Sequence, residues 1–171
     1  MQAVRLEPLG ESHLDSVARL VGDSDVLRFT RVPVPPPPDF PQAWLDAYEH
    51  GRLDGTREAF AIVDERDGSF LGVAVVPRID RETRTAELGY VVAADARGRG
   101  VATQALRLLT KWAFSNLDAL RLELMISGDN DASKRVAARC GYVREGVLRS
   151  LYFKQGLRED TEIWSRLPSD P

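Results

Sequence analysis

Two glycines stand where an apolar strand gives way to a strongly periodic helix, and that junction constrains the chain more than any other stretch. The run is Asp95-Ala96-Arg97-Gly98-Arg99-Gly100-Val101-Ala102-Thr103, between a strand over 88–92 and a helix over 101–113. Glycine lets the backbone approach a ligand with no Cβ in the way. A helix that starts here leaves its first N–H groups unpaired and turns the positive end of its dipole outward. Such a turn suits a diphosphate, and Arg97 and Arg99 add positive charge. A plain connecting loop is the alternative. A Walker loop is excluded, because Gly100 is followed by Val101 and Ala102 rather than by Lys and Ser or Thr. A dinucleotide fingerprint is excluded as well, since Thr103 stands where its third glycine belongs.

With 171 residues the chain suffices for one domain with a sizeable core, so a single domain over 1–171 is expected. Apolar residues at 43% and charged residues at 29% fit a soluble globular protein. The net charge of −3 argues against a broad nucleic-acid face. Cys140 is the single cysteine, which rules out an intrachain disulfide and points to a reducing compartment. It sits on the apolar stripe of a short helix, as a packed thiol would. His13 and His50 have no ligand-like neighbours, so no metal is expected. The first residues carry no apolar secretory core and no run reaches membrane-spanning length. These features predict a cytoplasmic protein with neither nucleic acid nor membrane as partner.

Residues 3–8 read as a strand, and Ser12 is placed to cap a helix carrying Leu14, Val17, Ala18 and Val21 on one face. The proline-rich run over 32–39 fits neither helix nor central strand. It is either a docking motif or a stiff loop into the next helix, where Pro41 suits the first turn and Phe40, Trp44, Ala47 and Tyr48 share a side. Strands follow over 59–63, 70–76 and 85–92, the first two joined by the hairpin signal Asp67-Gly68. Short turns make these three antiparallel. After the glycine turn, Ala102, Ala105, Leu106, Leu109 and Ala113 repeat at helical spacing. A strand over 120–126, a helix over 132–140 ended by Gly141, and strands over 143–151 and 162–167 complete the chain. The order is β-α-α-β-β-β-α-β-α-β-β, an α+β (mixed α/β) arrangement in which helices cover a mixed sheet.

Arg97, Gly100 and Ala102 meet the pattern Arg/Gln-x-x-Gly-x-Gly/Ala. Asn130-Asp131-Ala132-Ser133, Val136-Ala137 and Cys140-Gly141-Tyr142 follow Asn-x-x-Ser-x-x-Val-Ala-x-x-x-Gly-Phe/Tyr, and Ala86-Glu87-Leu88-Gly89-Tyr90 is a third match. In these residues and in element order the chain resembles the GNAT (GCN5-related N-acetyltransferase) superfamily, in particular its RimJ/RimL-like subgroup. The resemblance implies a mostly antiparallel sheet of about seven strands with four helices. It implies transfer of an acetyl group from acetyl-CoA, without a metal, to a primary amine. That amine is a protein N-terminal α-amine of the ribosomal-protein type or a small amine. Family members often dimerise, so a homodimer stays open.

By the same resemblance, backbone amides of Arg97, Gly98, Arg99, Gly100, Val101, Ala102 and Thr103 hold the coenzyme A diphosphate, and Val91, Val92 and Ala93 run beside the pantetheine arm. A β-bulge in that strand opens the cleft and frees an N–H near Val91 or Val92 to polarise the thioester oxygen. Asn130 contacts the pantetheine and Ser133 protonates the leaving thiolate, although both positions also suit a helix cap. Glu87, on the opposite face of its strand from Ala86, Leu88 and Tyr90, is a candidate to take the amine's proton. An arginine-paired structural carboxylate is the alternative. RimL-like enzymes carry a glutamate where this chain has Tyr152, a poor base at neutral pH but a suitable acid or orienting group. That departure leaves room for a GNAT-fold acyl-CoA sensor with weak turnover. Phe29, Trp44, Tyr48, Glu87, Tyr152 and Asp160 are the candidate acceptor contacts.

Overall fold

The computed structural model describes residues 3–171. The elements are β1 (Val4–Pro8), α1 (Leu14–Leu20), α2 (Ser24–Phe29), α3 (Phe40–Asp54), β2 (Glu58–Asp64), β3 (Phe70–Asp80), β4 (Thr85–Val92), α4 (Val101–Asn116), β5 (Arg121–Ser127), α5 (Asp131–Arg139), β6 (Val143–Lys154) and β7 (Leu157–Arg166). The strands form one seven-stranded sheet in the order β1-β2-β3-β4-β5-β7-β6. Only β4 and β5 pair in parallel, which requires the crossover that α4 provides. Strand periodicity divides the core between the two faces of the sheet. Phe60, Ile62, Ala74 and Val76 pack with Leu106 and Leu109 of α4, whereas Ala59, Ala61, Val63 and Val73 pack with α1, α2 and α3. A strand buried on both faces, such as β2, therefore reads as an unbroken apolar run rather than an alternation.

Among the described residues five helices form, not four. The first helical segment ends at Leu20, and Asp23 restarts it by accepting hydrogen bonds from the amides of Asp25 and Val26. Ser12 caps nothing and lies in a single 3₁₀ turn, Glu11–His13. The last two strands are longer than their apolar stretches. They meet at Gln155 and Gly156, both with positive φ (49° and 80°), the geometry of a tight two-residue hairpin. Along most of this extension the side chains are exposed, so no alternation marks it. The other expected elements form within a few residues of their expected limits. Pro41 lies in the first turn of α3, Asn130 caps the start of α5, and Gly141, following the C-cap Cys140, takes a positive φ of 78°.

The sheet divides at its centre. On β3, Val76 and Pro77 face the single residue Leu88 of β4, so the irregularity lies on β3 rather than on β4. Proline has no N–H for the ladder and suits such a bulge. The parallel pairing of β4 with β5 stops at Leu88 and Leu124. Beyond it β4 continues alongside β3 while Met125, Ile126 and Ser127 stay paired with β7. At Gly72 the β3 backbone passes so close to β4 that a Cβ would lie 2.1 Å from the Val91 carbonyl oxygen. The outcome is a V-shaped opening between β4 and β5.

Candidate active site

This opening continues into a cleft of about 1170 Å³, larger than the ~300–1,000 Å³ of an ordinary small-molecule pocket. One end is the glycine turn. Gly98 and Gly100 have φ of 75° and 81°, a conformation that side chains resist, and Gly100 caps α4 without a side chain. The first bond of the helix is donated by Gln104 to the Gly100 carbonyl at 3.1 Å. The amides of Val101, Ala102 and Thr103 therefore have no helical acceptor and line the cleft. Arg99 is exposed and outside the lining. The Arg97 guanidinium is committed elsewhere, to Asp23 at 2.6 Å, Asp25 at 2.9 Å and the Val92 carbonyl at 3.1 Å. It ties the turn to α2, and the Arg97 backbone N–H is directed to the Ala94 carbonyl at 3.4 Å.

Along β4, Val91 and Val92 line the cleft, whereas the Ala93 amide is donated to Leu71 at 2.9 Å and Ala93 lies outside it. Ladder bonds alternate from that bond, so Val91 also turns its N–H to β3 while Tyr90 and Val92 turn theirs to the opening. Of the two valines, it is Val92 and not Val91 whose amide is turned to the opening. Across the opening, Asn130 accepts the Ser133 amide at 3.1 Å as the cap of α5, and both residues line the cleft. The Tyr90 hydroxyl is buried without a hydrogen-bond partner among the described residues. Burial pushes this phenol up to about 12, with the Ser133 hydroxyl, short of good hydrogen-bond geometry, opposing the shift.

The other end holds Glu87, Tyr152, Tyr48, Trp44 and Phe29, drawn from β4, β6, α3 and α2. Glu87 faces Arg31 at 3.3 Å and Arg78 at 3.9 Å, and its side chain is only 12% exposed. Arg78 also bonds Glu123 at 3.0 Å, so it separates two carboxylates that the β4–β5 register sets side by side. Arg31 lies over the Tyr152 ring, 4.5 Å from its centroid, and donates to the Tyr152 hydroxyl. Burial pushes the Tyr152 phenol up; Arg31 opposes this and Glu87 adds to it. Tyr152 thus keeps its proton at neutral pH. Lys154 donates to the carbonyls of Leu27 and of Thr30, the latter at 2.6 Å, fastening the β6–β7 hairpin over the end of α2. Asp160 lies outside the cleft. Its carboxylate accepts the Ser150 amide at 2.7 Å and holds an irregularity in β6.

Arg31, Arg78 and Lys154 escaped the sequence reading. In a chain whose positive charge is nearly all arginine, no local signal separates Arg31 from the rest. Cys140, 2% exposed with burial raising its thiol, is packed in the core as its helical position suggests. Among the described residues no group of His, Cys, Asp and Glu is placed to hold a metal, and no helix is long and apolar enough to cross a membrane.

The family profile described as an acetyltransferase (GNAT) domain matches residues 3–143. The chain belongs to the GNAT acetyltransferase family. Among relatives, it is 33% identical over 101 residues to a putative ribosomal N-acetyltransferase, YdaF, of Bacillus subtilis (strain 168), across 59% of this chain and 55% of that protein. The chain thus spans little more than half the length of that relative. It is 25% identical over 154 residues to a spermidine N(1)-acetyltransferase of Escherichia coli (strain K12), across 90% of this chain and 80% of that one. Among solved structures, RimL, a ribosomal L7/L12 α-N-protein acetyltransferase in complex with coenzyme A, superposes with a TM-score of 0.87 at 21% identity, covering 98% of this chain and 95% of that one. The GNAT fold expected from the three motifs is therefore the fold observed.

Proposed function

We propose that the protein is an acetyl-CoA-dependent N-acetyltransferase whose acceptor, a protein N-terminal α-amine or a small primary amine, attacks the thioester directly. The observation that carries this reading is the meeting of a split sheet and an unpaired helix N-terminus in one cleft. Acetyl-CoA supplies the activated acyl group. The chain binds and orients it: amides of α4 for the diphosphate, and Val92 N–H with Asn130 for the pantetheine arm. In this reading Val92 N–H also stabilises charge on the thioester oxygen. The new amide bond forms as the carbon–sulfur bond breaks. Glu87 takes the proton that the amine gives up once Arg31 yields its place, and Ser133 is the donor available to the departing thiolate. We place this activity in the cytoplasm, with an amine and not a nucleic acid as partner.

A second reading, an acyl-CoA sensor with weak turnover, is favoured by the pairing of Glu87 with two arginines and by Tyr152 in the place of a carboxylate. Thiol release on mixing protein, acetyl-CoA and a panel of amines separates the two. A transferase liberates coenzyme A with at least one amine. Saturable acetyl-CoA binding with no release for any acceptor rejects the transferase reading in favour of the sensor.

A further inference from the structure

We infer that the acceptor end of this cleft selects a primary monoamine with an aromatic or branched apolar body and disfavours polycations. The inference takes from the proposed function only which end of the cleft receives the amine. Phe29, Val32, Val34, Phe40, Trp44 and Tyr48 wall that end. The Trp44 and Tyr48 rings meet at 4.7 Å between centroids and 60° between planes, a tilted pair that helix α3 holds at a spacing of four residues. Flat apolar groups gain from burial against such a corner, which offers an ammonium group no carboxylate.

Charge points the same way. The charged side chains lining this end are Glu87, Glu159, Arg31 and Lys154, two of each sign. Lys154 is occupied by backbone carbonyls, and Glu87 already faces Arg31 and Arg78. Each ammonium group of a polycation that leaves water costs free energy unless a charged or polar group pairs it. Here Glu87 serves only the reacting nitrogen, and Glu159 is the one other carboxylate lining this end among the described residues. A monoamine needs one partner. Its ammonium takes the place of the Arg31 guanidinium at Glu87, and Arg31, 59% exposed, has solvent to move into. The chemistry therefore differs from that named for the Escherichia coli spermidine relative.

Calorimetric titration of the full chain, with and without coenzyme A and at about 0.15 M salt, tests this. The probes are 2-phenylethylamine, a Phe-Ala-Ala peptide and spermidine. At least one aromatic ligand is expected to bind about tenfold or more tightly than spermidine. Preference for the peptide identifies a protein N-terminus as the source of the amine, and preference for phenylethylamine a free metabolite; both support the inference. Spermidine binding as tightly or more tightly overturns it, as does failure of both aromatic ligands to bind. In Trp44→Leu, which keeps apolar bulk on α3, the preference should fall at least about threefold, and an unchanged preference overturns the inference too. Thiol release is followed in parallel. Its absence with every amine rejects the transferase reading alone, because the binding order still decides this one.

Discussion

Glu87 is held in the fold as an ion-paired carboxylate, between Arg31 and Arg78, and its chemistry depends on which cation faces it. Arg78 comes from the neighbouring strand β3 and also serves Glu123, so it is a fixed part of the sheet. Arg31 arrives from the loop after α2 and is the partner an incoming amine can replace. Tyr152 contributes a ring and a hydroxyl to hold Arg31, and its raised phenol excludes it as a base near neutral pH. Glu87→Gln is therefore expected to lower kcat by about 10²-fold, within the usual range for a lost general base, and Tyr152→Phe by less than about tenfold. Steady-state rates compare the two, and the reverse order would move the proton-accepting role away from Glu87.

The turn and α4 act as a unit, because the left-handed glycines aim the helix N-terminus into the cleft. Gly100→Asp brings a negative charge to the anion end while tolerating positive φ better than most residues do. Acetyl-CoA affinity should fall at least about tenfold in calorimetry with the circular dichroism spectrum retained; unchanged affinity would dismiss the diphosphate assignment. On the opposite side of the sheet centre, β6 is tied to β5 across β7. Arg121 donates to both oxygens of Glu145, at 2.8 and 2.6 Å, and Ser165 donates to the same carboxylate at 2.6 Å. These bonds pull the Glu145 carboxyl down to about 2, Arg121 contributing most. A depressed carboxyl stabilises the fold above its unfolded value of about 4.3 and loses that contribution as pH falls through the folded value. Because the Glu145 side chain is 40% exposed, the gain is that of a good surface pair. Wild type should melt about 1–3 °C above Glu145→Gln at neutral pH, with the difference disappearing as pH approaches 2. A difference that persists in acid would show that the contribution is not ionic.

Across the whole molecule, two apolar layers clamp the sheet, and Leu109 of α4 is fully buried in one of them. Leu109→Ala should cost about 2–5 kcal/mol in denaturant unfolding, and a loss under about 1 kcal/mol would mean that the layer collapses around the gap. The order of the strands, the crossover helix and the glycine turn before it were legible in the chain. Periods of two and 3.6 residues, Asp67-Gly68, Pro41 and Gly141 act through neighbours a few residues away, and so do the unpaired amides at a helix start. Legibility failed where signals were weak or compensated. Asp23 caps a short second segment, Ser24–Phe29, that carries too few turns to print a period of its own, and the exposed end of the β6–β7 hairpin has no buried face to print a pattern. It failed completely for the surroundings of Glu87. Arg31 lies 56 positions from Glu87 and 121 from Tyr152, and only the folding of α2, β4 and β6 around one opening brings them together. The amino-acid sequence alone thus determined the local geometry of the turn and the alternation that turns Glu87 away from the α4 layer, because both depend on adjacent residues. The tertiary structure decided which cations face that carboxylate, which amide β4 leaves free and how wide the sheet opens, because each depends on the register between strands distant in sequence.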